Sequence, residues 1–240
     1  MSALPSSLST SAALAGRTSR RKQARPGELL AAALTLFTEK GYAATRAEEV
    51  ARLAGVSKGT LFLYYPSKEE LFKAVVRENL AGRFPQWNAE FEAYAGSTPE
   101  MLRYTLLQWW ERVGNTPASG LTKLVMSESS NFPELADFYQ QEVILPGQEL
   151  IRRILQRGVD RGEFVIDNID HSIFVVLAPM IFLTTWKHSF GTRAANCVTL
   201  DPQTYLQAQV QIILHGLCQP NQTLNTSETS AGSDQKDLNP

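Results

Sequence analysis

Between Thr45 and Glu70 the sequence carries three helix starts and two helix stops. Thr45-x-x-Glu48 and Ser67-x-x-Glu70 read as capping boxes, in which the hydroxyl meets an amide three residues on and the glutamate reaches back. Ser57 supplies a third cap, Ala54-Gly55-Val56 a tight turn, and Pro66 a break. The apolar residues Ala47, Val50, Ala51 and Ala54 keep helical spacing on one side of the turn. Ser57 to Tyr64 or Tyr65 forms the other side. Two short helices joined this way make a helix-turn-helix, whose first helix braces the backbone while the second enters a DNA major groove.

The flanks complete a small helical domain. Pro26 opens a first helix with Leu30, Ala33, Leu34 and Phe37 along one face, and Gly41 fits its left-handed stop. A fourth helix runs from Ser67 through Leu71 and Val75 toward Leu80. Leu61 and Tyr65, four apart, face the core, leaving Phe62 and Tyr64 pointing elsewhere. A helix that begins Ser57-Lys58-Gly59-Thr60 turns free amides, a small residue and a lysine toward DNA. Aromatic residues at helical spacing equally serve an ordinary core, so Phe62, Tyr64 and Tyr65 do not decide the matter alone.

The rest of the chain also reads as helix. Expected segments are Thr98 through Trp110, Leu121 to Glu128, Pro133 to Gly158 with a kink at Pro146, Ile169 to about His188, and a last one capped by Asp201-Pro202. The run Ile173 to Leu183 is shorter than the roughly 20 residues of a membrane span and contains Pro179, so a buried helix is expected. Leu206, Gln209, Val210, Ile213 and Leu217 share one face of the final helix. No internal repeat is visible. Both ends are rich in Ser, Thr, Asn and Ala and read as disordered.

Charge is divided unevenly. Through residue 65 nine basic residues stand against four acidic ones, whereas the remainder holds fourteen against twenty. A basic first quarter on an acidic body suggests a polyanion footprint. Arg17, Arg20, Arg21, Lys22 and Arg25 precede the first helix as an arm that either follows DNA or stays solvated. Two cysteines, Cys197 and Cys218, offer no CxxC pair and fit a reducing cytoplasm, and the first residues lack the charge order of an export signal. No nucleophile elbow, P-loop or HExxH motif is present, which argues against an enzyme, a metal site or a cofactor.

The stretch "GYAATRAEEVARLAGVSKGTLFLYYPSKEELFKAV" resembles the N-terminal DNA-binding domain of the TetR/AcrR family of transcriptional regulators, and "NFPELADFYQQEVILPGQELIRRILQRGVDRGEF" resembles a segment of AcrR-like members. The resemblance implies that Thr45 and Arg46 reach DNA from the second helix, that Lys58, Gly59 and Thr60 sit at the groove, and that Tyr64 and Lys68 bind phosphates. Phe62 replaces a tyrosine frequent in the family, keeping stacking but losing a hydroxyl. Tyr65 stands where the family usually buries phenylalanine.

The expected fold is all-α. Residues 1–24 form a disordered basic arm, 25–72 the three-helix DNA-binding domain, 73–219 a ligand-binding and dimerisation domain, and 220–240 a disordered tail. The family implies a homodimer built on the last two long helices, a palindromic double-stranded DNA operator, a small-molecule inducer, and a repressor whose helix from Ser67 swings when ligand binds. Tyr104, Gln108, Trp109, Met126, Tyr139, Phe174, Phe182 and Trp186 are the expected ligand contacts; any helical bundle also uses such residues as core. A cysteine-based redox or electrophile sensor on the same scaffold, or an activator, are the alternative readings.

Overall fold

The computed structural model describes residues 26–191 and 200–218. The basic arm, Cys197 and the expected tail lie outside them. Helix α1 occupies 26–40, followed by α2 (Ala47–Leu53), α3 (Lys58–Tyr64) and α4 (Lys68–Asn79). After a 3-10 turn come α5 (Phe84–Ala93), α6 (Thr98–Trp109), α7 (Gly120–Glu128), α8 (Pro133–Tyr139), α9 (Leu145–Asp160), α10 (Ile169–Ser189) and α11 (Pro202–Leu217). Among the described residues, extended pairing is confined to one bridge between Phe164 and Cys218.

Helices α1 to α4 close on Leu29, Ala33, Phe37, Val50, Leu61 and Phe72. Tyr42 completes this core with its ring 5.7 Å from Phe37, 5.5 Å from Phe72 and 4.8 Å from Phe132 of the following domain. The turn between α2 and α3 places Gly55 at φ +67°, where a Cβ would strain the backbone. Ser57 and Ser67 both cap, accepting from Thr60 N at 3.1 Å and Glu70 N at 3.0 Å, but the expected box at Ser67 is only half formed, because Glu70 pairs with Lys73 at 3.3 Å and does not reach back.

The start of α2 differs from the expected Thr45–Glu48 box. The cap is Arg46, whose amide donates to Glu49 Oε2 at 3.4 Å. Thr45 is only 1% exposed, and its hydroxyl donates to the carbonyls of Gly41 at 2.7 Å and Leu36 at 3.1 Å. The Leu36 carbonyl in α1 and the Gly41 carbonyl just beyond it take its proton, so the hydroxyl is not available to α2 and the cap moves one residue on.

Helix α5 has no counterpart among the expected segments. Pro85, Asn88 and the preceding Gly82 mask it, and its weak apolar face is held by other helices, with Tyr94 at its cap 6.0 Å from Tyr104 of α6 and Phe91 4.2 Å from the Arg153 guanidinium of α9. One chain direction runs from α8 through a π-helical turn, Gln140–Ile144, into α9, so the expected kink at Pro146 is a wider turn just before it. Helix α9 passes Gly158, the expected stop, and ends beyond Asp160 at Gly162, φ +66°. Gly158 instead makes room for an aromatic ring, because a Cβ there would lie 2.1 Å from Phe164.

Helix α10 continues through Pro179, which costs the Val175 carbonyl its intrahelical partner on an exposed turn. The expectation of burial holds on one side only. Ile173, Val176, Met180 and Leu183 pack inward, while Phe174 is 59% exposed and Ile212, on α11, is 72% exposed. By length and composition α10 is apolar enough to cross a membrane; its inner row belongs to the core shared by α6, α9 and α11.

Candidate nucleic-acid interface and ligand cavity

Helix α3, the expected recognition helix, shows solvent an edge formed by Ser57, Lys58, Gly59 and Leu63. Ser57 Oγ also meets Thr60 Oγ1 at 2.9 Å, so these hydroxyls steady each other. Lys58 pairs with Glu48 across the turn and its ammonium stands 5.7 Å from the Phe62 ring. Arg46 is exposed beside this edge. Phe62, Tyr64 and Tyr65 are all half-buried against the α1–α4 core. Burial and the nearby Glu78 raise the Tyr65 hydroxyl above its ordinary pKa, as a ring lodged at a domain rim requires.

Two of the expected DNA contacts face inward. The Thr45 hydroxyl is consumed by α1, as described. Lys68 Nζ donates to the carbonyls of Tyr42 at 2.9 Å, Thr45 at 3.2 Å and Ala43 at 3.3 Å, and sits 4.3 Å from the Tyr42 ring. Burial lowers its pKa, opposed by the charge of Glu128. Both side chains brace the loop before α2 and present no free polar group to a phosphate. Conversely, Leu63 is not among the expected contacts, yet it is 81% exposed on the outer face of α3. Helical spacing contains that signal, since Leu61 and Tyr65 facing inward turn residue 63 outward.

Behind the DNA-binding domain lies a cavity of about 450 Å³. Six expected ligand residues border it: Tyr104, Gln108, Trp109, Met126, Tyr139 and Phe174. Phe182 and Trp186 do not. They form an outer aromatic ladder in which Phe182 is 6.0 Å from Tyr205 and 5.9 Å from Trp186, and Trp186 is 5.3 Å from Phe190. Helix α5, which the sequence pattern does not announce, and the residue that caps it add Phe84, Trp87, Glu90, Phe91 and Tyr94 to the wall.

The polar groups of the wall are few. Tyr139 OH and Thr122 Oγ1 are 3.0 Å apart, and burial pushes the tyrosine pKa up to about 12, so it stays a neutral donor. Glu90 Oε1 accepts from Arg112 Nη1 at 2.7 Å and from Gln86 Nε2 at 2.9 Å, while its other oxygen has Tyr104 OH at 3.4 Å. Burial would raise this carboxyl, but Arg112 and Gln86 bring it below the ordinary range. Among the described residues no three His, Cys, Asp or Glu side chains lie together as a metal site.

Cavity and DNA-binding domain share structure. Leu80, at the end of α4, and Val143, in the π turn, both touch the cavity. Between them Glu142 of the π turn pairs bidentately with Arg77 of α4, whose Nε lies 3.1 Å from Oε2. Leu121, Leu124, Val125, Leu135 and Tyr139 belong to the same apolar core as α1 to α4. The expected domain boundary at residue 72 therefore falls inside α4, in a continuous core.

The model of the bacterial regulatory proteins, tetR family, matches residues 29–75, and that of the AefR-like transcriptional repressor, C-terminal domain, matches residues 100–211. The HTH-type transcriptional regulator YfiR of Bacillus subtilis is 30% identical over 149 residues, 61% of this chain and 71% of YfiR. The chain belongs to the TetR family. This TetR-family regulator is also 48% identical to the regulator RutR of Escherichia coli K12 over 65 residues, 27% of its own length and only 31% of RutR. Its fold is similar to that of the fatty acid degradation regulator FadR from Bacillus halodurans, with a TM-score of 0.64 at 20% identity, covering 79% of this chain and 94% of that one. The family is one of transcriptional regulators and its matched C-terminal model is that of a repressor.

Proposed function

We propose that this chain is a dimeric repressor that leaves a palindromic operator when a small apolar or aromatic molecule fills the cavity behind its DNA-binding domain. The observation that carries this reading is the position of α4. Its first residue holds the loop before α2 through Lys68, and its other end meets the cavity at Leu80 and the π turn at Arg77–Glu142. A helix of twelve residues is a rigid lever about 18 Å long. Ligand contacts at one end thus bias the angle at which the reading head stands. The shift can be no larger than the ligand's preference between the two states.

In this reading Arg46, Ser57, Lys58, Gly59, Thr60, Phe62 and Tyr64 meet DNA, while Thr45 and Lys68 hold them in place. Tyr104, Gln108, Trp109, Met126, Tyr139 and Phe174 meet the ligand. The exposed apolar strip of α10 and α11 receives a second copy in a four-helix bundle, which gives the two symmetric reading heads a palindrome needs. A cytoplasmic location belongs to the same proposal.

The test is selection of binding sites from random double-stranded DNA, followed by titration of the winner with Arg46→Ala and Lys58→Ala. A two-fold symmetric site, bound at least about tenfold more weakly by each variant, is the expected result for lost groove contacts. Selection that converges on no sequence would sink the proposal.

A further inference from the structure

We infer that the cavity is built for an uncharged lipophile and rejects organic acids of the same shape; this rests on the reading of the cavity as the ligand site. Its size, about 450 Å³, lies within the range of drug-sized sites, roughly 300–1,000 Å³. Its charge is the discriminating feature. Among the described residues the one ionised side chain in the wall is Glu90, and Arg112 already neutralises it from 2.7 Å. A ligand carboxylate entering this space meets a carboxylate, aromatic faces and only neutral polar groups such as Gln108 and Gln148, and loses its water with no cation to replace it. An ammonium finds Glu90 already paired, with the Arg112 charge directly behind.

An uncharged hydroxyl or carbonyl meets no such penalty. The second oxygen of Glu90 has only the long 3.4 Å contact with Tyr104 OH and remains open to a donor. Across the wall, Thr122 and Tyr139 share one hydrogen bond although each hydroxyl carries a proton. One of those protons is left for an acceptor. The wall therefore suits a molecule that is apolar along its body and carries a neutral hydroxyl, ketone or ester.

The experiment uses Nile red, an uncharged dye of about 24 non-hydrogen atoms, a size suited to such a site. It is displaced in turn by 1-tetradecanol below its solubility limit, and by tetradecanoate and tetradecyltrimethylammonium below their micelle concentrations. The dye is expected to bind once per chain, and the alcohol to displace it at least about tenfold more effectively than the acid or the ammonium. Gly147→Leu locates the dye: a Cβ at Gly147 reaches Phe84 at an ordinary 3.8 Å, so a leucine projects into the cavity, and dye binding should vanish. Dye retained by G147L, no dye binding at all, or an acid that competes as well as the alcohol would each overturn the inference.

Glu90→Gln then leaves the Arg112 charge unpaired. Tetradecanoate should gain at least about tenfold while the alcohol stays within about threefold, and an unchanged acid would remove the Glu90–Arg112 pair as the discriminator. If Glu90→Gln fails to fold, Arg112→Met provides the converse: the ammonium should then overtake the alcohol. Binding to the selected operator without ligand is measured separately. A chain that prefers alcohols yet ignores DNA sinks the repressor reading alone, whereas a DNA-binding chain that prefers acids sinks only this one.

Discussion

Glu128, at the last turn of α7, accepts a hydrogen bond from the Ala43 amide at 3.3 Å, and so ties the wall of the cavity to the loop that starts the helix-turn-helix. Met126, two residues earlier, borders the cavity. The same carboxylate oxygen lies 3.0 Å from where a Cβ on Gly41 would stand, so the loop approaches closely because Gly41 has none. Its charge also offsets part of the burial of Lys68. Glu128→Ala should destabilise folding by about 1 kcal/mol, the worth of a hydrogen bond to a charged group that is partly exposed. Hydrogen exchange at the amides of residues 42–46 should quicken at the same time. Exchange left at the wild-type rate would show that the contact contributes nothing to holding the loop.

Lys68 gives a sharper separation of roles. If its ammonium serves the three carbonyls it reaches, Lys68→Met lowers stability by about 1–2 kcal/mol in the absence of DNA. The salt dependence of operator binding then keeps nearly its wild-type slope. A phosphate contact predicts the reverse: unchanged stability and a slope smaller by about one unit. Urea unfolding and a salt titration of the same variant distinguish the two.

The pH dependence of folding in the mildly acidic range should come largely from His188. Its Nε2 lies 2.8 Å from Ser119 Oγ, Lys187 adjoins it on α10, and Lys123 of α7 donates to its carbonyl at 2.9 Å. Burial, then Lys187 and Lys123, hold the imidazole below its ordinary value. A depressed folded pKa means that the unfolded chain takes up the proton first, so this contribution is complete above about pH 6.5 and is lost as pH falls through the folded value. Carboxylates such as Glu142, lowered by Arg77, act in a more acidic window. Unfolding free energy should decline between pH 7 and 5, and His188→Asn should flatten that decline. Parallel curves for the two proteins would show that His188 plays no part.

Much of this arrangement is legible in the residues themselves, and the failures have local causes. Caps mark helix starts at Ser57, Ser67 and Asp201 because each depends on a side chain three residues from its amide partner. The cap of α2 differs from its sequence pattern because two carbonyls of α1 and its end, nine and four residues back, compete for the Thr45 hydroxyl. Lys68 reads as a phosphate ligand from its charge, and the carbonyls of residues 42 to 45 that hold it in this structure come within its reach only after folding, so sequence does not show this second role. Helix α5 is hidden because the aromatic residues in it and at its cap are held by Tyr104 of α6 and Arg153 of α9, and Glu90 is hidden with it. Phe182 and Trp186 have the same composition as true cavity residues and differ only in the face of α10 they occupy.

Leu63 should be a specificity contact with no role in folding. An 81% exposed leucine makes almost no packing contribution, so Leu63→Ala should change stability by less than about 0.5 kcal/mol. On the outer face of α3 its methyl groups would lie where a major groove offers thymine C5-methyls. Burying one such methyl pair is worth about 1 kcal/mol, or roughly fivefold in affinity. Replacing operator thymines one at a time by uracil removes the same methyl from the other side. One position should lose about fivefold with the wild-type chain and nothing further with L63A, because the two changes delete a single contact and cannot add. Losses that add at every thymine would place Leu63 away from the bases.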